Sequence, residues 1–426
     1  MPFCRISEVA AFIFFIYKES KVAEIKAFSG IRYKEQIITN FICPPYDVID
    51  EKQKEKLHKL SKFNMVNIEL PDETPTKTKY KNAAAIFQEW QKIGVLAKES
   101  LPALYFYEQV FDDGGIKMTR RGFFSALKLE NPHSAKTSIK PHEKTLAGPK
   151  ADRLKLIKAI KANVSPIFGL FNDESKVIVD ICKKIAKKAP VSTAIDSQGT
   201  FHKLWVISDQ NIIKNIVEYV SSKKLFIADG HHRYETAWNY SKERKAKDKH
   251  YSSSKDYNYV LAFLCPMEDP GISIWPTHRV VAEPDDLEEN INKFFDVCSA
   301  KDFEKLLKKE IQPMMLYKDG KYRVLTIKKE SILKKAMHDK CKSYRNLAVS
   351  MLHYVLIPSV EASEFTYVKS KKEAVLLADK TGQIAIIVPA TPIKSLESIS
   401  LNNDMMPQKS TYFYPKLASG IVIRTI

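Results

Sequence analysis

Two periodicities divide this chain. Continuous or alternating apolar runs mark strands, and apolar residues recurring every third or fourth position mark helix faces. An apolar strand around Phe41 runs into Cys43-Pro-Pro-Tyr-Asp-Val-Ile49. There two prolines exclude both helix and central strand, leaving a rigid turn that presents Tyr46 and Asp47. Thr78–Gly94 reads as an amphipathic helix, and a hairpin follows from Leu104–Val110 through Asp112–Gly115 into Met118–Leu129. Leu154, Ile157 and Ile160 share one face of a helix that the pattern carries to Asn163, ahead of a strand Pro166–Phe171. Helix Glu174–Lys188, a hairpin turning at Asp196–Gly199 and helix Asn211–Tyr219 lead to the strand Lys224–Ala228. After a turn at Asp229 comes helix Arg233–Lys247, and Tyr259–Leu264 has the unbroken apolar character of a strand buried on both faces. From about Asp285 the pattern restarts with helices, a hairpin at Lys318–Lys321, helix Asn346–Ile357 and an α/β tail.

This alternation predicts an α/β to mixed α+β fold. The core begins near Val22, so residues 1–22 read as an N-terminal extension, 23–290 as the part carrying the active site and 291–426 as a C-terminal α+β region. The apolar run Val9–Tyr17 is too short to span a bilayer. It also lacks the basic start and small-residue cleavage site of a signal peptide. With 426 residues the chain can bury a large core and still hold a cleft.

Composition narrows the chemistry. Glycine is scarce, at 13 residues, and neither GxxxxGK[ST] nor GxGxxG occurs, so any phosphate site works without a P-loop or a Rossmann fingerprint. The net charge of +18 favours anionic partners, although lysines spread over helix faces also serve solubility. The basic stretches Lys183–Lys188 and Lys242–Lys249 have few aromatic residues among them, which argues against a nucleic-acid groove. Six scattered cysteines without a CxxC pair indicate neither a zinc site nor a disulfide framework, and fit a reducing, cytoplasmic setting.

Ile227-Ala-Asp-Gly-His-His-Arg-Tyr-Glu235 concentrates the strongest chemistry. An apolar strand ends at Asp229, Gly230 permits a tight turn, and a helix then begins with backbone N–H groups and a dipole that attract anions. Arg233 offers a planar fork suited to phosphate; His231 and His232 can donate hydrogen bonds or relay protons. Asp229 can cap the helix, hold Mg²⁺ or orient a hydroxyl. A zinc site is disfavoured, because adjacent histidines on a helix point about 100° apart. His142, Glu143 and Lys144, with Asp152 and Arg153 beyond them, form a second segment able to supply a general base and a phosphate clamp. Glu268, Asp269, His278 and Arg279 follow a buried strand, where loops carry ligand contacts. Tyr46, Asp47, Lys409 and Tyr412 are weaker candidates.

These segments carry a resemblance. Cys43–Ile49, His142–Thr145, Pro149–Leu154, Ala228–Ala237, Met267–Gly271, Pro276–Arg279 and Met406–Pro415 look like the domain of unknown function 1015 family. The match runs from about Val22 to the C-terminus, and the family name states no activity. More distantly, Asp229-Gly-His-His-Arg233 with Ala237 is similar to the phosphate-binding motif of the ParB/sulfiredoxin superfamily, in a form closest to free serine kinases. That resemblance implies a ParB/sulfiredoxin-like nucleotide-binding core, within roughly 130–290, embedded in the larger chain. It implies Glu143 as the base for a substrate hydroxyl, although the separation from Glu143 to Asp229 is much longer here.

The resulting expectation is a nucleotide-dependent phosphotransferase acting on a small hydroxylated metabolite, with serine the leading acceptor and ATP or ADP with Mg²⁺ as cofactor. Glu143, Asp229 and His232 are the expected catalytic residues. Gly230, His231, Arg233, Lys144 and Arg153 are expected to bind phosphate, and Asp229 to hold the metal. Two other readings stand beside it: a nucleotide-hydrolysing switch of ParB type, and a nucleic-acid-binding protein suggested only by charge.

Overall fold

The strand Tyr259–Pro266 is buried at every position, with Val260, Ala262 and Leu264 in one hydrophobic core and Phe263 on the opposite face against the rings of Tyr107, Phe124 and Phe168. Period-two alternation with apolar residues on both faces places such a strand at the centre of a covered sheet. The computed structural model describes residues 22–145 and 147–426. The extension expected at 1–22 lies outside the described residues except for Val22, which is half-exposed.

The chain divides into two units. The first comprises 22–140, 145–272 and 415–426 of the described residues, and the second 141–144 and 273–414. The closing segment thus returns to the first unit, and four residues around Glu143 join the second. Neither detour shows in local sequence, because both depend on pairing with distant chain.

The first unit is built on a mixed sheet of nine strands among the described residues. Tyr259–Pro266 pairs in parallel with Ile167–Phe171 and antiparallel with Ile116–Lys128. Ile116–Lys128 turns through Gly114-Gly115, both at positive φ, into Leu104–Asp113, which pairs with Phe201–Ile207. On the other side Ile167–Phe171 pairs antiparallel with Leu225–Asp229, where a register shift lies between Ile227 and Asp229. Helices Val177–Ile185 and Gln210–Ser221 cover one face, burying Ile178, Cys182, Ile213, Ile216 and Val220 in the same core. Asp173 accepts from the N–H groups of Ile178 and Val179, and Asp209 from those of Asn211 and Ile212, which satisfies donors that a helix start leaves over.

The second unit carries a six-stranded antiparallel sheet around Met314–Lys318, Ile384–Ile387 and His278–Val281. Its core gathers Val280, Met315, Tyr317, Val324, Ala374, Ala378, Ala385 and Ile387.

The mixed α/β class and most predicted elements are present. The hairpin strands run longer than predicted, as Leu104–Asp113 and Ile116–Lys128, and the helix after the motif begins earlier, as His231–Lys247. Three expectations need correction. Phe41 lies in a turn, and its neighbour Cys43 makes only an isolated bridge to Ser419. The helix expected to reach Asn163 stops at Ile160, because Ala162 and Asn163 pair as a strand with Arg424 and Thr425. The helix expected over Asn346–Ile357 is α only over Ala348–Met351 and widens to a π turn over Leu352–Leu356. Among the described residues no helix is long and apolar enough to cross a membrane.

Candidate functional site

Leu225–Ala228 is buried, so the strand's apolar run anchors Asp229 at the edge of the first unit's core. Gly230 follows at φ 89°, a left-handed conformation that L side chains rarely adopt. A Cβ here would also lie 3.1 Å from the Arg233 guanidinium carbon. The helix begins at once: Tyr234 N–H donates to Gly230 C=O at 2.9 Å, and His231, His232 and Arg233 precede that first bond. The Tyr234 hydroxyl ties the helix to Glu130, donating to its carbonyl at 3.0 Å and accepting from its N–H at 2.9 Å.

The Asp229 carboxylate meets two cations. Arg233 Nη2 donates to Oδ2 at 2.7 Å and Lys416 Nζ to Oδ1 at 2.9 Å. These charges hold the Asp229 carboxyl well below the usual carboxylate range against the opposing effect of burial. Arg233 also donates through Nη1 to the Pro166 carbonyl. Its fork therefore organises the turn, between a strand-end carboxylate and a neighbouring backbone oxygen. Each Asp229 oxygen accepts from one cation, so its donor set does not fit a metal ligand. Among the described residues no group of three or more His, Cys, Asp or Glu gathers where a metal could sit.

The Cys43–Ile49 turn and the helix Ala147–Ile160 supply the surroundings. Tyr46, in a 3₁₀ turn after Pro45, lies with its ring 4.1 Å from the Arg153 guanidinium. Burial and Asp47 push its hydroxyl up to about 12 against the pull of Arg233 and Arg153. Asp47, Tyr46 and Glu69 all favour the charged form of Arg233, after Asp229 and against burial. Arg153 donates to the Glu69 carbonyl at 2.9 Å and to Asp152 through Nε and Nη2, while Lys79 and Tyr80 hold the other Asp152 oxygen, each at 2.8 Å. Glu69 is 1% exposed and accepts from Ser165 Oγ at 2.5 Å and Tyr46 N–H at 3.3 Å. It lines a cavity of about 50 Å³ with Arg153, Arg233, Ser165, Asn163 and the apolar side chains Leu156, Ile157 and Ile160. On the motif helix Glu235 accepts from Thr145 Oγ1 and Lys150 Nζ, both at 2.6 Å.

The candidate residues therefore fall into two groups. Tyr46, Asp47, Arg153, Asp229, Gly230, His231, His232 and Arg233 belong to the first unit, and Tyr46, Asp47, Arg153, Asp229 and Arg233 interact there. Glu268 and Asp269 share that unit but serve other loops: Glu268 accepts from Asp173 N–H at 2.7 Å, and Asp269 from Gly271 and Arg121 N–H. Burial pushes the Asp269 carboxyl up to about 6. His142, Glu143, Lys144, His278, Arg279, Lys409 and Tyr412 belong to the second unit. There Glu143 pairs in parallel with Met406 and accepts from Lys409 N–H at 3.4 Å, and His142 Nε2 lies 3.0 Å from Thr411 Oγ1.

Sequence reasoning passed over Lys416 and Glu69. Lys416 lies one residue beyond the quoted segment Met406–Pro415, but nothing local ties it to Asp229. Glu69 had a signal: a carboxylate between Ile68 and Leu70, in a run where Val66 is also apolar, is a candidate for burial.

No curated protein matches the chain. Among solved structures, a free serine kinase in complex with AMP is 12% identical, with a TM-score of 0.33 over 65% of this chain and 83% of that one. A conserved hypothetical protein from Pyrococcus furiosus is 14% identical, with a TM-score of 0.34 over 68% and 92%. C-terminally truncated SbnI from Staphylococcus aureus is 10% identical, with a TM-score of 0.36 over 70% and 85%. Scores of this size carry no argument about activity. The sequence itself is decisive at the family level: residues 25–350 match the model described as protein of unknown function DUF1015, and the chain belongs to that family.

Proposed function

We propose that the first unit binds the phosphates of a nucleotide at the start of helix His231–Lys247, and that the protein is a nucleotide-dependent phosphotransferase for a small hydroxylated metabolite. The observation that carries this reading is the Asp229–Gly230 turn held by Arg233 and Lys416. Two cations meet one carboxylate at the turn itself, Asp47 and Glu69 act on Arg233 more weakly than Asp229, and the helix start adds about half a positive charge. His231 and His232 stand on the first turn of that helix, where hydrogen-bond donors are useful to an anion. In this reading Asp229 and Arg233 shape the cradle, and His232 and Lys416 contact phosphate. Mg²⁺ enters no step, since Asp229 is engaged by cations. The proton acceptor proposed from the sequence motif is Glu143. Serine is the first acceptor to try.

The test begins with binding. Calorimetric titration of the parent with AMP, ADP, ATP and pyrophosphate should show binding that Lys416→Ala weakens by about tenfold, the scale of one hydrogen bond to a charged group. Unchanged affinity in Lys416→Ala and His232→Ala would move the phosphate site elsewhere. Turnover should then depend on acceptor, and Glu143→Gln should lose about 10²–10⁴-fold while keeping nucleotide affinity. Turnover with water alone, unstimulated by any acceptor, would replace the kinase reading with that of a nucleotide switch.

A further inference from the structure

In the second unit, a buried arginine holds the loop that holds Glu143. Arg279 leaves the strand His278–Val281 fully buried. Its guanidinium donates to three backbone carbonyls: to Thr277 through Nη1, and to Gln408 and Lys409 through Nη2 at 3.2 Å each. Among the described residues, Arg279 Nε has no hydrogen-bond partner and no carboxylate hydrogen-bonds to this guanidinium. A buried charge so placed is costly unless it serves the structure it touches.

What it touches is the backbone of the Gln408–Lys409 loop. Lys409 takes a left-handed φ of 55°, an uncommon conformation for a residue with a side chain. The carbonyls of Lys409 and of the residue before it are the two that Arg279 Nη2 grips. In this conformation Lys409 N–H points to Glu143 Oε1, and three residues earlier Met406 N–H donates to the His142 carbonyl at 2.8 Å. The segment Pro141–Lys144 thus has its backbone and its acidic side chain stitched to one loop, and that loop is held by the Arg279 guanidinium and by Thr391 Oγ1, which donates to the Ser410 carbonyl at 2.8 Å. Tyr367 lies under that guanidinium, 5.5 Å from its ring centroid, and is fixed by its own hydroxyl donating to the Ala362 carbonyl.

We infer that Arg279 is a positioning residue that sets the orientation of the Glu143 carboxylate by clamping the Gln408–Lys409 peptide. The catalytic consequence rests on the proposed role of Glu143 as base, whereas the clamp itself does not. Arg279 contacts no reacting atom in this scheme. Lysine cannot replace it, because a single ammonium does not reproduce a planar fork across three carbonyls.

Hydrogen exchange of the full chain, read by NMR or peptide mass spectrometry, tests the clamp without any assay. In Arg279→Lys the Met406 and Lys409 amides should lose protection, while the strand Leu225–Asp229 exchanges as in the parent. Tyr367→Leu removes the ring beneath the guanidinium together with its hydroxyl bond to Ala362, and leaves the Arg279 guanidinium in place. It should produce the same local loss to a smaller degree, and so tests the clamp if Arg279→Lys does not fold. Parental protection at both amides in the folded variants would overturn the inference. Turnover then tests the consequence: kcat should fall about 10²-fold with KM for nucleotide unchanged, as expected when a reacting group is misplaced. The pH profile of the remaining activity should shift, because a mispositioned carboxylate titrates differently. A destabilised but correctly arranged enzyme would instead lose activity in proportion to its unfolded fraction, which would overturn the positioning role. If the parent turns over no substrate, the function reading fails while the exchange result still decides the clamp.

Discussion

Arg233, on the first turn of a helix, and Arg279, on a core strand, are both arginines withdrawn from water, yet they sit in opposite electrostatic settings. Arg233 faces the Asp229 carboxylate, with Asp47, Tyr46 and Glu69 nearby, and is pushed above the ordinary arginine range despite burial. Arg279 faces backbone carbonyls, and burial pulls it down to about 10 against the weaker support of Tyr367 and Glu143. A guanidinium paired with a carboxylate is a settled charge that fixes the local geometry of its partner. One paired only with carbonyls organises backbone and leaves a positive field that other groups feel. His353 and His278 show this, since burial and then Arg279 hold both imidazoles down to about 4.

The comparison can be broken most severely at Asp229. Asp229→Ala leaves Arg233 and Lys416 without their shared counter-charge, and breaking a buried pair in this way costs about 3–5 kcal/mol. Urea unfolding of the first unit should report it, and a loss below about 1 kcal/mol would mean that solvent screens the cluster.

Acid should find the second unit next. A free imidazole titrates near 6.5, and His353 and His278 titrate near 4 in the folded protein. Between those values the unfolded chain takes up protons that the folded chain does not, so stability falls as pH drops from 6.5 to 4. At most the loss is about 3 kcal/mol per ring. In Arg279→Met the like-charge part of the effect disappears, so the His353 ring should titrate closer to 6.5 by NMR. An unmoved His353 titration would uncouple the two groups.

The same Arg279→Met substitution should cost about 2 kcal/mol, less than Asp229→Ala. Three carbonyls lose a donor, but an unpaired buried charge is removed with it. Were it to cost as much as Asp229→Ala, carbonyls would be anchoring this charge as firmly as a carboxylate does.

The smallest effect is expected at Gly230. Gly230→Ala forces a side chain into φ 89° and against Arg233, for about 1 kcal/mol. Its value lies in nucleotide affinity, which should drop more than stability if the turn shapes a phosphate cradle. Equal affinity in the parent and the variant would argue that the turn only starts a helix.

Much of this was written locally. The apolar run before Asp229, the glycine at the turn, the hairpin glycines and the helical spacing in Gln210–Ser221 each reflect one segment's own backbone preferences and the burial of its own side chains. The strand-to-helix turn at Asp229 and its family were therefore legible without coordinates. What the sequence could not reveal was which distant groups meet. Lys416 lies 187 residues from Asp229, and Glu69 lies 96 residues from Ser165. Ala162 and Asn163 leave their helix because Arg424 and Thr425 offer a strand to pair with. Glu143 has a local motif, but its membership of the second unit follows from Met406 and Lys409. Propensity and periodicity act over a few residues and so determine elements. Charge pairing and strand pairing act between elements and are decided only when the tertiary fold brings them within reach.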